Sequence, residues 1–242
     1  MFKEFKDQFD AKELLLLDAD KKRIQYGYEN LRKHIYTNNV NKSEHEFKNT
    51  YDVVPGDHSL TVNGSIDNFI IMYPLNQIMI LDYKTGSYIV GTDEDYDAGM
   101  NLQLLMYSYL LSKDDAYKNL EIAGIYYCPI ITKELNTTSK KFFDSYKLDG
   151  LTFIEGYTSE EVFTKSSTKI KTTSINDYRL LVEEKVKYAE SIVRDGKFNI
   201  KPYINKKNDP CKFCEYSSIC FKNKALENIH TVEVEGGEED EE

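Results

Sequence analysis

Two apolar runs joined by a short turn constrain this chain more than any other feature. Gln77-Ile78-Met79-Ile80-Leu81 leads directly into Asp82-Tyr83-Lys84-Thr85-Gly86. An apolar run of this length closed by Thr-Gly predicts a buried strand over Gln77–Lys84. Strand side chains alternate between faces, so Asp82 and Lys84 project to one side. The preceding run, Leu60-Thr61-Val62-Asn63-Gly64-Ser65-Ile66, is closed by Asp67, and the turn Tyr73-Pro74-Leu75-Asn76 lets the two runs pair antiparallel. Two carboxylates and one ammonium are therefore expected at neighbouring strand ends. Two carboxylates suit a hard divalent cation such as magnesium, which takes oxygen ligands and keeps several waters. A lysine beside them orients or deprotonates a water and offsets charge on a phosphoryl group. A strand-end salt bridge uses the same residue types, so the Asp-x-Lys spacing alone does not separate the two readings.

The rest of the chain reads as a sheet with flanking helices. A helix is expected over Ala11–Tyr36, and strands over Phe47–Val54, Ser59–Tyr73 and Gln77–Lys84 in a meander. Leu102, Leu105, Met106, Tyr109 and Leu110 fall at helical spacing within an expected helix over Ala98–Ser112. Glu121–Thr132 reads as another buried strand, Lys140–Ile154 as a strand pair around Asp149-Gly150, and Ile175–Val193 as a long helix stopped by Asp195-Gly196. No βαβ unit repeats, which points to a compact α/β (α+β) core with a mixed central sheet. The expected organisation is an N-terminal helical segment over 1–43, a core over 44–205, a cysteine-bearing segment over 206–224 and an acidic tail over 225–242.

Charge neither requires nor excludes a nucleic-acid partner. The chain has 242 residues and a net charge of −10, but Glu233 to Glu242 carry seven acids and no base. Setting those seven aside leaves −3, and Lys140-Lys141, Lys165 to Lys171 and Lys201 to Lys207 supply local basic patches that suit a phosphate backbone. No apolar run is long enough to span a bilayer, and Met1-Phe2-Lys3-Glu4 opens no signal-peptide pattern. A soluble cytoplasmic protein with no membrane partner is expected.

Two further constellations stand out. Gln103 and Tyr107 lie four apart, on one face of the expected helix, where both can bond a phosphate or a catalytic side chain; a polar edge of a core helix is the alternative. Cys211-Lys212-Phe213-Cys214 and Cys220 place three of the four cysteines within ten residues, which in a cytoplasmic chain favours a metal or an iron–sulfur cluster over a disulfide. A tetrahedral or cubane site wants four ligands, and three form an unfinished set. Cys128, the remaining thiol, sits inside an apolar strand and reads as a small buried hydrophobe.

Taken together these residues resemble the RecB-like branch of the PD-(D/E)XK nucleases, and within it the C-terminal nuclease domain of AddB proteins. Gly64-x-Ile66-Asp67 looks like the family's first metal-binding acid motif, Asp82-Tyr83-Lys84-Thr85-Gly86 like its second acid and catalytic lysine, and Gln103-x-x-x-Tyr107 like the Gln/Tyr motif on the following helix. Cys211, Cys214 and Cys220 match the three C-terminal ligands of the family's 4Fe–4S cluster, and Gly196 with Ile200-Lys201-Pro202 resembles the lead-in to them. The likeness runs in order from about Glu44 to Phe221. It implies a restriction-endonuclease-like core with a C-terminal metal-cluster segment. It also implies that Asp67, Asp82 and the carbonyl of Tyr83 bind Mg2+ or Mn2+, that Lys84 positions the attacking water, and that Gln103 and Tyr107 complete the catalytic set.

The sequence departs from the family in two places. The family carries an upstream Gly-x-x-x-His motif and an early first cluster cysteine. Here Leu31 stands four residues after Gly27, the nearest histidine is His34, and no cysteine precedes Cys128. The expectation from these departures is a truncated, split or degenerate form that begins after the first cysteine and the histidine. The leading function is a Mg2+-dependent deoxyribonuclease, an exonuclease acting in DNA end processing, repair or recombination beside a helicase partner subunit. A catalytically silent remnant that binds DNA or a helicase is the second reading, and a stand-alone CRISPR-associated type of nuclease the third.

Overall fold

The computed structural model describes residues 10–37, 42–54, 60–134, 136, 138–156, 158–198, 202–204 and 209–216. They fall into two compact units divided between Tyr188 and Ala189. The first is built on a five-stranded mixed sheet of order β1-β2-β3-β4-β5: β1 (Lys42–Val54), β2 (Leu60–Met72), β3 (Gln77–Lys84), β4 (Glu121–Pro129) and β5 (Asp149–Thr152). β1, β2 and β3 form the expected antiparallel meander, and β4 pairs antiparallel with β5. β3 and β4 run parallel, because the chain crosses over between them through α2 (Asp93–Asp97) and α3 (Gln103–Ser112). α1 (Ala11–Thr37), α4 (Lys140–Asp144) and α5 (Ile175–Asp195) are the remaining helices among the described residues.

The central strands are buried on both faces. Ile78 and Ile80 join Ile66, Phe69, Ile71 and Ile125 beneath α3 and α5, which contribute Leu104, Leu105, Tyr109, Tyr178 and Val182. Ile70, Met72, Met79 and Leu81 face the other way, against Tyr126, Leu148 and Phe163. Burying each such side chain contributes about 1.5–3 kcal/mol, so these two layers hold β3 rigidly. The tight β2–β3 turn is a single 3-10 turn over Tyr73–Leu75 ended by Asn76 in left-handed conformation (φ 53°).

Three expectations need correcting. Of the helix expected over Ala98–Ser112 only Gln103–Ser112 (α3) is helical: Gly99 (φ 79°) and Asn101 (φ 54°) both take left-handed backbone, which an α-helix cannot continue through, and α2 has already ended at Asp97. The apolar spacing is kept because Leu105, Met106, Tyr109 and Leu110 all lie in α3 and Leu102 is its N-cap. The strand pair expected over Lys140–Ile154 is instead α4 followed by the short β5. Ser139 caps α4, accepting from the backbone N–H of Phe142 at 3.1 Å. Asp67, finally, does not end its strand. β2 continues to Met72, but Ile66 and Phe69 lie in the same core layer, so the alternation slips once between them. Pairing with β1 holds on either side, at Phe47↔Ile66 and His45↔Asn68, and Glu46 between them has φ 49°. Asp67 thus sits at a local irregularity, a place where a strand can re-aim a side chain.

α1 is anchored to the first unit through aromatic and backbone contacts. Tyr26 stacks at 5.0–5.3 Å on Phe142, Phe143 and Tyr146, and Asn30 donates to the Tyr146 carbonyl at 3.0 Å. A Cβ on Gly27 would come within 2.8 Å of the Ile130 carbonyl, so the glycine is required by close packing.

Candidate active site

The site forms where β3 parts from β2, which runs on to Leu60 beside β1. The last β2–β3 pair is Asn68↔Leu81; beyond it β3 continues beside β4 alone, with Asp82↔Tyr127, Tyr83↔Cys128 and Lys84↔Pro129 in register. Asp67 lies next to Asn68 at that edge, and its Oδ2 accepts the backbone N–H of Tyr83 at 2.8 Å. The two carboxylates are close enough for the charge of Asp67 to raise the pKa of Asp82. Gly64 explains itself here: a Cβ would lie 2.3 Å from Leu110 Cδ1, because α3 crosses β2 at this position.

Above Asp82 the polar side chains close into a ring. Gln103 Nε2 donates to Asp82 Oδ1 (3.1 Å) and to the Tyr107 hydroxyl (2.9 Å). The Tyr107 hydroxyl donates in turn to Asp82 Oδ1 at 3.2 Å. Lys84 Nζ donates to Gln103 Oε1 at 2.9 Å and stands 2.5 Å from Asp82 Oδ2. That last contact is an ion pair without hydrogen-bond alignment. Among the described residues Asp82 Oδ2 is the one buried side-chain oxygen that makes no hydrogen bond. Asp82 is only 2% exposed, so Oδ2 is held in the interior by the Lys84 ammonium alone.

The electrostatics follow from burial. Burial pushes the Asp82 carboxyl above its usual range and Asp67 adds to that, while Lys84 and Tyr107 pull the other way and lose. Burial also pushes the Tyr107 phenol up to about 12, with Asp82 reinforcing it, so at neutral pH Tyr107 is an uncharged donor. A carboxylate perturbed by burial and by a neighbouring charge is a functional-site candidate.

The residues present fit a divalent cation. Two carboxylates lie together, one with a buried oxygen lacking a hydrogen bond, and hard oxygen donors are what magnesium and manganese take. Among the described residues no three His, Cys, Asp or Glu side chains gather as ligands. A cation here would therefore lean on the Tyr83 carbonyl and on water as well as on Asp67 and Asp82.

The structure brings Asp67, Asp82, Lys84, Gln103 and Tyr107 together. The cysteines are a different case. Cys211 lies in a 3-10 turn over Pro210–Phe213 that Asp209 caps at its start and Cys214 at its end, and both cysteines are at least partly exposed. Cys220 lies outside the described residues. Cys128 is buried in β4, and burial pushes its thiol up to about 12, so it behaves as the small hydrophobe expected.

Several residues around the site escaped the sequence reading. Tyr127 lies beneath Lys84, with Nζ 4.9 Å from its ring centroid. On the opposite face of the sheet the fully buried Asn68 donates to the Tyr83 hydroxyl (2.8 Å) and accepts from Ser43 (2.8 Å), which bolts β1, β2 and β3 together behind the acids. Asn68 carries a sequence signal, a polar residue inside an apolar run. Tyr127 carries none, since only the parallel pairing of β4 brings it in.

Comparison with known proteins agrees with this geometry. The profile of the PD-(D/E)XK nuclease superfamily matches residues 3–221, which takes in α1 as well as the sheet. The chain is similar to an ATP-dependent helicase/deoxyribonuclease subunit of Clostridioides difficile, 29% identical over an alignment of 184 residues that covers 59% of this chain and 15% of that protein. It is similar to the corresponding protein of Caldanaerobacter subterraneus, which bears the same name, 26% identical over 218 residues (75% of this chain, 19% of that protein). A third relative of that name, from Listeria welshimeri, is 25% identical over 230 residues (75% and 20%). The chain thus spans about a fifth or less of these curated relatives. With a profile match over most of its length, a mixed sheet flanked by helices and the acids and lysine gathered at one strand end, the chain belongs to the PD-(D/E)XK nuclease superfamily.

Proposed function

We propose that this chain is a metal-dependent deoxyribonuclease module of the RecB/AddB type, hydrolysing phosphodiester bonds as an exonuclease during DNA end processing, repair or recombination. The observation that carries the reading is the Asp82 ring, whose one buried oxygen lacks a hydrogen bond and faces a lysine rather than a neutral donor. A bound Mg2+ or Mn2+ would neutralise charge on the scissile phosphate and sharpen the acidity of nearby water. Asp67, Asp82 and the Tyr83 carbonyl would hold it. Lys84 positions the attacking water and offsets the charge that develops on phosphorus-bound oxygen. Gln103 aims Lys84 through its Oε1 and keeps Asp82 oriented through its Nε2. Tyr107, held neutral, contributes a fixed donor to Asp82.

The relatives are named as components of ATP-dependent helicase/deoxyribonucleases, which supports a helicase partner and a DNA substrate. No helix among the described residues is long and apolar enough to cross a membrane. The described part of the cysteine segment offers two thiols in one turn, half of a four-ligand set. A 4Fe–4S cluster therefore carries no step in this reading. Its presence is tested by the visible absorbance of anaerobically purified protein, where a colourless preparation removes it.

One specific feature favours the silent-scaffold reading: Leu31 follows Gly27 where the resemblance asks for histidine. The deciding experiment incubates linear single- and double-stranded DNA with Mg2+ or Mn2+ beside a Lys84→Ala control. Cleavage by the unaltered chain that vanishes in the control supports the nuclease; equal background in both establishes the scaffold.

A further inference from the structure

A lysine ammonium has three N–H donors and no acceptor, and when withdrawn from water each donor needs a partner. Lys84 Nζ finds Gln103 Oε1 at 2.9 Å and the Asp82 carboxylate at 2.5 Å. What stands under it besides these is the face of Tyr127, with Nζ 4.9 Å from the ring centroid. That is inside the distance at which a ring quadrupole attracts a cation. Tyr127 is 4% exposed and the Lys84 side chain 21% exposed, so water screens the contact only from the side of the ammonium. The ring is itself fixed: Tyr127 is the β4 residue in register with Asp82, and Tyr88 from the segment after β3 packs on it at 4.9 Å between centroids. Burial pushes its phenol up to about 12, and the hydroxyl stays neutral.

We infer that Tyr127 is a positioning residue for Lys84, its ring serving as the third partner that fixes the direction of the ammonium at the Asp82 carboxylate. The role belongs to the π-face rather than to the hydroxyl or to the volume filled. An aliphatic side chain of similar bulk would fill the space and leave one N–H donor facing hydrocarbon, so Lys84 would tilt toward water. The inference rests on the role proposed above for Lys84.

The test separates the two. Lysine labelled with 13C gives an ε-methylene signal for Lys84, identified by its loss in Lys84→Met. The ring current of Tyr127 should shift its protons upfield in the unaltered chain and in Tyr127→Phe, and the shift should vanish in Tyr127→Leu. In DNA cleavage, Tyr127→Leu should lower kcat about fivefold, the rate equivalent of about 1 kcal/mol, with KM for DNA unchanged, and Tyr127→Phe should recover most of that loss. If Tyr127→Leu does not fold, 3,5-difluorophenylalanine at position 127 weakens the quadrupole at nearly constant shape and should give an intermediate rate. An ε-methylene signal at its unstructured position in the unaltered chain, or one that Tyr127→Leu leaves in place, overturns the inference. So does a fluorinated ring that cleaves as fast as Tyr127→Phe. The spectrum decides the matter even if the chain proves to cut no DNA, because it reads the placement of Lys84 and not the reaction.

Discussion

Two clusters in this fold use the same three residue types and end in opposite states. At the strand edge, Asp82 meets Lys84 and Tyr107, and the lysine lies over the Tyr127 ring. At the start of α2, Asp93 meets Lys171 (3.0 and 3.1 Å to its two oxygens) and the Tyr178 hydroxyl (2.5 Å), and that lysine lies 6.0 Å from the Tyr178 ring centroid. Burial acts upward on both carboxyls. For Asp93 the hydrogen bonds from Tyr178 and Lys171 and the lysine charge outweigh it, and the carboxyl settles below its usual range. For Asp82 burial prevails and the carboxyl ends above it. The deciding difference is solvent: the Asp93 side chain is 50% exposed and that of Asp82 is 2% exposed. Asp93 has a hydrogen bond on each oxygen and serves as a clasp between α2 and α5. Asp82 Oδ2 is reached by the Lys84 ammonium alone, which leaves lone-pair capacity on a buried oxygen.

The sharpest way to break this contrast is to neutralise both carboxylates. Asp82→Asn should lower DNA cleavage by about a thousandfold, and Lys84→Ala by a similar factor, while Asp93→Asn cleaves within about twofold of the unaltered chain, all in one assay with Mg2+ or Mn2+. A loss of cleavage in Asp93→Asn would show the two clusters to be alike. A smaller effect is expected one bond away: Tyr107→Phe removes a single hydrogen bond to a charged group and should slow cleavage about tenfold. Tyr178→Phe should leave the rate alone.

Stability should sort the clusters the other way. Asp93 is stabilising when ionised, because its folded pKa lies below the unfolded one. Its contribution is present above the unfolded value of about 3.9 and is lost as pH falls through the lower folded value. Asp93→Asn should therefore lower unfolding stability at pH 7 by at most about 1 kcal/mol, discounted for its exposure. In urea unfolding the deficit should close as the pH drops below about 4. Asp82 carries the opposite sign. Its raised pKa makes ionisation unfavourable to folding, a penalty that sets in above the unfolded value and is complete above the folded one. Asp82→Asn should leave metal-free stability at pH 7 unchanged or raise it by a few tenths of a kcal/mol, the smallest effect of the set. A marked loss of stability would mean that Asp82 is a structural ion pair after all.

Much of the site was legible because it depends on local periodicity. The placement of Asp82 and Lys84 on one face follows from strand alternation, and that of Gln103 and Tyr107 from helical spacing; the structure holds both pairs within hydrogen-bond reach of each other. The misread parts depend on choices that neighbouring residues do not make. The same apolar spacing serves a helix that begins at Ala98 and the actual α3 that begins at Gln103, and only the left-handed Gly99 and Asn101 decide between them. Lys140–Ile154 has enough aliphatic and aromatic residues for strands, yet the Ser139 cap and the packing of Phe142 and Phe143 on α1 draw part of it into a helix.

By itself the amino-acid order determined which side chains share a strand face or a helix face, because those periods come from the backbone. Only the tertiary structure decided that the Asp67 carboxylate would grip the Tyr83 N–H across the sheet edge, and that Tyr127, 43 positions after Lys84, would lie beneath it. It also decided which of two Asp–Lys–Tyr clusters would be uneasy in its charge. The reason is that strand pairing across a crossover and withdrawal from water are properties of the assembled fold, and the same three residue types are stabilising or strained according to how much solvent the rest of the chain leaves them.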